Sequence, residues 1–363
     1  MTHYLQNILA EPGELRRCLD YTLGDGNSAL QQAADGVRDA QAIYITGIGS
    51  SWHAGMAVQS LFDAAGKPAL LADASELLHF TQFAPNACLI VLSRSGKSVE
   101  IVRLLDKAEA SGTRIIGITN TPGSPLAHRA TVTLPLNATF DRNVSVTMYS
   151  ALTLVGGLLA TQATFGIKAS LAISIREYLT AARNQMSRWQ ETIAESNWFS
   201  AELPTYFLAR GSSLASCHEA RLLWEEAAKI GATAMTTGGF RHGPQEMIAG
   251  GARIGLWLAP AVLRDQDLRL ASDLRRYGVP VLLIGQNLPN TEDFTRLELP
   301  PLVPEFSTWQ FLVDVIPAQL ASEHLARQRG ADCDGFAICP YIIEAEGGLC
   351  EAGAADRLQE TSK

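Results

Sequence analysis

Ala42-Ile43-Tyr44-Ile45-Thr46-Gly47-Ile48 runs into Gly49-Ser50-Ser51, and Tyr206-Phe207-Leu208-Ala209-Arg210 runs into Gly211-Ser212-Ser213. Each stretch reads as a buried strand followed by a Gly-Ser turn into a helix. Laying the halves of the chain over each other extends the match. Ala87-Cys88-Leu89-Ile90-Val91-Leu92-Ser93 falls on Arg253-Ile254-Gly255-Leu256-Trp257-Leu258-Ala259, Arg114–Thr119 on Val281–Gly285, and Thr131–Pro135 on Thr295–Pro300. Helical patterns such as Ser98–Ala110 and Asp267–Tyr277 lie between these runs. Strand and helix therefore alternate as a parallel sheet with crossover helices requires. Continuous apolar strands imply sheets covered on both faces. The expected fold is α/β, with two doubly wound, flavodoxin-like parallel-sheet domains related by an internal repeat. The boundaries read as an N-terminal helical segment (1–35), a first domain (36–168), a linking helix (169–197), a second domain (198–346) and a small polar tail (347–363).

The wider composition narrows the function. With 29 Lys+Arg against 37 Asp+Glu the net charge is −8, and no local basic run compensates. A nucleic-acid partner is not expected, because phosphodiester neutralisation needs a basic surface. The segment from Val144 to Ile167 has no charged residue and is long enough to cross a bilayer. Ser145, Thr147, Ser150, Thr153, Thr161, Gln162 and Thr164 interrupt it and Gly156-Gly157 suits close helix packing, so it reads as a buried helix and no membrane partner is expected. The first residues show no basic region followed by an apolar run, and the expectation is a cytoplasmic protein. Cys18, Cys88, Cys217, Cys333, Cys339 and Cys350 are scattered without a CxxC pair, which reads as reduced, mostly buried thiols. Histidines 53, 79, 128, 218 and 324 have no metal-ligand spacing; no metal or other cofactor is expected.

Ligands of open parallel sheets bind beyond the strand carboxyl ends, where helix N-termini present unbonded N–H groups. Ser93-Arg94-Ser95-Gly96-Lys97-Ser98 occupies that position, with three hydroxyls and one glycine able to surround a phosphate. The matching turn of the second half, Ala259-Pro260-Ala261-Val262, has lost its hydroxyls and one N–H donor. Only the first copy is expected to hold an anion. Neither GxGxxG nor GxxxxGK[ST] occurs, which argues against dinucleotides and nucleoside triphosphates.

These residues, with Asn120-Thr121-Pro122-Gly123-Ser124 and Gly238-Gly239-Phe240-Arg241-His242-Gly243-Pro244, resemble the sugar isomerase (SIS) domain family. The resemblance runs from about Tyr4 to Glu346 and is to tandem members, such as the isomerase half of glucosamine-6-phosphate synthase and its stand-alone relatives. It implies a 6-phosphosugar, or an amino-sugar phosphate, with its phosphate at Ser93, Ser95 and Ser98 and its hydroxyls near Gly49, Ser51 and the backbone around Val144. By the same resemblance Glu226 moves a proton between C1 and C2, and His242 assists ring opening from a neighbouring subunit, which makes the active unit a homodimer. One carboxylate suffices for the proton transfer. Glu219 lies two turns before Glu226 on the same helix face and is a further candidate.

The sequence also departs from the synthase pattern. Leu223 stands where a lysine precedes the catalytic glutamate, and Tyr341 falls near a second family lysine. Arg94 and Lys97 add two positive charges to the phosphate loop, either to offset phosphate charge or to select a second anion. The sequence begins Met1-Thr2 and is not expected to draw ammonia from glutamine. Isomerisation, deamination and deglycation of a fructosamine-6-phosphate type substrate share the C1/C2 step and remain alternatives. A non-catalytic phosphosugar-binding regulator is the alternative from another class.

Overall fold

The computed structural model describes residues 1–141, 143–199, 203–345 and 347. Cys350, the expected domain end at 346 and the tail beyond 347 lie outside the described residues.

The chain opens with helices α1 (His3–Leu23) and α2 (Asn27–Asp39). A first α/β series follows: β1 (Ala42–Gly47), α3 (Ser50–Ala64), β2 (Leu70–Asp73), α4 (Ala74–Phe80), β3 (Ala87–Leu92), α5 (Val99–Ala110), β4 (Arg114–Thr119), α6 (Pro125–Arg129), β5 (Val132–Pro135) and α7 (Thr147–Thr164). The long α8 (Ala169–Glu195) leads to the second series: β6 (Thr205–Ala209), α9 (Ser213–Glu226), β7 (Ala232–Thr236), α10 (Thr237–Phe240), β8 (Arg253–Trp257), α11 (Arg264–Arg276), β9 (Val281–Gly285), β10 (Thr295–Glu298), α12 (Phe311–Asp314) and α13 (Ile316–Arg329).

Both sheets are parallel, with orders β2-β1-β3-β4-β5 and β7-β6-β8-β9-β10. The repeat is therefore a repeat of topology, in the flavodoxin-like order. Every residue of β3, β8 and β9 is buried, as their unbroken apolar runs require. The chain divides into two compact units, one holding Arg17–Gly166 and residues from Asp332 onward, the other Met1–Arg16 and Ile167–Ala331. Residues 332–345, attached to the second domain in the sequence reading, thus pack with the first sheet.

The apolar segment after Val144 is α7, buried along its length against α3. Gly156 allows this: a Cβ there would stand 2.4 Å from Val58 Cγ2. No described helix is long and apolar enough to cross a membrane.

Strand pairing also sets the register between the copies. Thr46 pairs with Val91 in one sheet and Leu208 with Leu256 in the other, and Gly49 and Gly211 share a φ of +56°. Ser93 then falls on Leu258, one residue from the alignment of the apolar runs. Strands buried on both faces lack the polar alternation that would expose a one-residue slip. In the corrected register the helix N-caps Ser98 and Leu263 coincide.

Candidate functional site

On the first-sheet unit the β3–α5 turn is built around Gly96. Ser93 and Ser95 are both buried. Ser93 Oγ accepts the Gly96 N–H at 3.0 Å and Ser95 Oγ accepts the Lys97 N–H at 3.3 Å. Gly96 has φ +63°, and a Cβ would stand 2.4 Å from Ser124 Oγ, so both conformation and space demand glycine. The Arg94 carbonyl accepts the hydroxyls of Thr119 and Thr121, each at 3.2 Å, which ties the turn to the end of β4. Ser98 caps α5 by position, yet its hydroxyl makes no capping hydrogen bond. A hydroxyl so placed remains available to an anion at the helix N-terminus.

The two added cations behave differently. Lys97 is exposed. Arg94 donates from Nη1 to the Asn143 carbonyl at 2.9 Å, and its guanidinium lies 4.3 Å from the centre of the Tyr341 ring. Tyr341 is half-buried; burial raises its phenol pKa, with Arg94 opposing. Its hydroxyl donates to the Asp141 carbonyl at 3.4 Å. The Val99 N–H, at the head of α5, donates to the Ile343 carbonyl at 3.0 Å. Residues 341–343 thus lie beside the β3–α5 turn within the same unit.

Gly49 takes φ +56° at the β1–α3 turn, and Ser51 follows in the first turn of α3, half-buried. Val144 is buried just before α7. Sequence reasoning missed Asp141, whose buried carboxylate accepts the N–H groups of Val146 (2.9 Å), Thr147 (3.2 Å) and Met148 (2.8 Å). It caps α7 and fixes the backbone around Val144. Burial raises its pKa, with those N–H donors opposing. The available signal was an aspartate a few residues ahead of a long uncharged helix.

On the second-sheet unit, α9 carries Glu219, buried, and ends at Glu226, half-buried. Glu225 pairs instead with Arg221 one turn back. Leu223, where the resemblance to the synthase pattern leads to the expectation of a lysine, is fully buried. Lys229, held at φ +55°, donates from Nζ to the Glu226 carbonyl and is the nearest following cation in the chain. His242 is exposed; its N–H donates to the Gly239 carbonyl at 3.0 Å, and the preceding α10 is capped by Thr236 Oγ1 accepting from Gly239 N at 3.0 Å. The phosphate-turn and sugar candidates belong to one unit, and Glu219, Glu226 and His242 to the other.

Among the described residues no His, Cys, Asp and Glu side chains group as a metal site. Cys18, Cys88, Cys217 and Cys333 are buried, Cys339 is exposed, and none forms a disulfide. Burial pushes the Cys88 thiol up to about 12. A groove of about 800 Å³ flanks β10, lined by Arg188, Trp189 and Arg296 among others; none of the residues proposed from the sequence lines it.

Comparison with known proteins gives the following. Residues 36–161 match the SIS domain family. The chain is 27% identical over 347 residues to a glutamine--fructose-6-phosphate aminotransferase [isomerizing] of Bacillus licheniformis, covering 92% of this chain and 56% of that protein. It thus spans about half the length of the curated relatives it matches. The C-terminal domain of glucosamine-fructose-6-phosphate aminotransferase from Francisella tularensis superposes with a TM-score of 0.81 at 20% identity, covering 92% of this chain and 98% of that one. A tagatose-6-phosphate ketose/aldose isomerase from Escherichia coli superposes with a TM-score of 0.79 at 18% identity, covering 92% and 94%.

Proposed function

On the premise that this chain carries a SIS domain over residues 36–161 within a tandem SIS-like fold, we propose that it acts on a 6-phosphosugar, in particular an amino-sugar 6-phosphate, by moving a proton between C1 and C2. The observation that carries the reading is the β3–α5 turn: two buried serines, a glycine that admits no side chain and an uncommitted Ser98 hydroxyl at a helix N-terminus. Ser93, Ser95 and Ser98 hold the phosphate, and Arg94 and Lys97 supply positive charge. Gly49, Ser51 and the backbone near Val144 take the sugar hydroxyls. Glu226 removes the proton alpha to the carbonyl and returns it to the adjacent carbon, and His242 serves ring opening in the site of a second copy of the chain. Glu219 and Tyr341 stand by as groups that contact the open-chain sugar. The same step serves isomerase, deaminase and fructosamine-6-phosphate deglycase outcomes, which differ in whether nitrogen leaves.

A second reading, a phosphosugar-binding regulator without turnover, draws on one observation: Leu223 is buried in the core where the synthase-like pattern has a lysine.

Thermal unfolding tests ligand class directly. Fructose 6-phosphate or glucosamine 6-phosphate at a hundred-fold excess over Kd adds about 2.7 kcal/mol of stability, while the unphosphorylated sugars add none. The double variant Ser95→Ala, Ser98→Ala should lose that shift. An equal shift from fructose and fructose 6-phosphate contradicts the reading.

A further inference from the structure

The turn that opens the second sheet keeps the backbone of the first copy's Gly-Ser turn and changes what its side chains touch. Ser213, the counterpart of Ser51, is buried and donates its hydroxyl to Asp314 Oδ2 at 2.6 Å. Ser216, one turn along, donates to Asp314 Oδ1. Gln310 Nε2 approaches Oδ2 at 3.4 Å, and Trp257 Nε1 holds the Asp314 carbonyl at 2.9 Å. Arg210, standing where the first copy has Ile48, donates from Nε to Asp267 Oδ1 at 2.8 Å. Asp267, in the first turn of α11, and Asp314, in α12, are both fully buried.

Two buried carboxylates therefore converge on the four residues Arg210–Ser213. Burying a carboxylate is costly, and each takes a hydrogen bond from this turn, Asp267 Oδ1 from Arg210 and Asp314 Oδ2 from Ser213. The turn also touches what precedes and follows it. Ser213 and Ser216 form the head of α9, the helix that ends at Glu226. Arg210 Nη1 lies 3.7 Å from where a Cβ on Gly238 would stand, which brings the guanidinium beside the start of α10. Thr237 Oγ1 donates to the Ala209 carbonyl at 3.3 Å. His242 follows α10 by two residues and is tied back to Gly239.

We propose that in the second copy this turn has exchanged ligand contact for positioning: Arg210 and Ser213, fastened to Asp267 and Asp314, set the helix bearing Glu226 and the loop bearing His242. Arg210, Asp267 and Asp314 are positioning residues. For its catalytic consequence the inference rests on the phosphosugar reading; for its structural content it does not.

Arg210→Ala and the milder Arg210→Lys test it in the full chain by two measurements. Backbone hydrogen–deuterium exchange needs no substrate: amides 236–243 should exchange about 10-fold faster or more in Arg210→Ala, with β3 and its following turn unchanged. In turnover of fructose 6-phosphate or glucosamine 6-phosphate, kcat should fall about 10- to 100-fold with KM nearly constant, because the phosphate donors belong to the other unit. Millimolar guanidinium should restore part of the lost rate in Arg210→Ala, a rescue that a global loss of stability would not show. Arg210→Lys should fall between and decides the matter if the alanine variant does not fold. Unchanged exchange over 236–243 in a folded variant overturns the proposal, as does a wild-type kcat. Wild-type protein inactive on both sugars refutes the phosphosugar reading instead, and amide exchange alone then decides on positioning.

Discussion

Gly96 concentrates the local argument, since its φ of +63° and the approach of Ser124 both exclude a side chain. Gly96→Ala should destabilise the protein by about 1–3 kcal/mol and abolish the melting shift given by phosphosugars. An alanine variant that binds as wild type would mean that the turn does not hold the phosphate. Asp314 makes a different prediction. Burial raises its folded pKa above the ordinary carboxylate value of about 3.9, with Ser213, Ser216 and Gln310 opposing. A carboxyl with a raised folded pKa holds its proton more tightly folded than unfolded. Its contribution is full below the unfolded pKa and is lost as pH rises through the folded one. The melting-temperature difference, wild type minus Asp314→Asn, should therefore shrink as pH rises above about 4; a difference that grows with pH contradicts the assignment. At this scale the sequence was legible as to position, placing Ser93, Ser95 and Ser98 in the turn between a buried strand and a helix. Asp141 and Asp314 were not, because an aspartate that caps or anchors a helix looks like any loop aspartate until its partners are in place.

The interior strands were legible from their burial, and the half-buried β5 and β10 from their place in the repeat. β1, β3, β4, β8 and β9 announce themselves as apolar runs, and Ser98–Ala110 reads directly as α5 with its cap. The edge strands β2 (Leu70-Leu71-Ala72-Asp73) and β7 (Ala232-Thr233-Ala234-Met235-Thr236) did not, being short and mostly half-buried, with the apolar run of β2 cut to three residues and that of β7 interrupted by threonines. α7 was read from its glycines and hydroxyls against the competing reading of a bilayer span, and its packing on α3 at Gly156 is the physical reason. Gly156→Val should cost about 1–3 kcal/mol by overpacking against Val58, read as a lower urea midpoint with an unchanged slope. An unaltered midpoint would show that the helices separate without cost.

For the whole molecule, the duplication gives one topology carried twice with differently furnished turns. The same strand order and the same Gly-Ser turn occur twice. One copy surrounds its β3–α5 turn with hydroxyls, whereas the other has Pro260 in the corresponding turn and fastens its Gly-Ser turn to Asp267 and Asp314. The duplication was legible from four apolar runs, since topology follows from their order. The difference between the copies was legible only in part, because loss of hydroxyls at Ala259–Val262 shows in the sequence and the engagement of Ser213 by Asp314 does not. The proposed function gives the phosphate to the β3–α5 turn and the proton transfer to Glu226. Proton NMR of fructose 6-phosphate and glucosamine 6-phosphate incubated with the protein in deuterium oxide tests it most directly. Deuterium should enter at C1 or C2, with isomer or released ammonia identifying the outcome, and Glu226→Gln should lose at least about 100-fold in rate with binding retained. Exchange that persists undiminished in Glu226→Gln, or no exchange with a sugar phosphate that nonetheless binds, would contradict it.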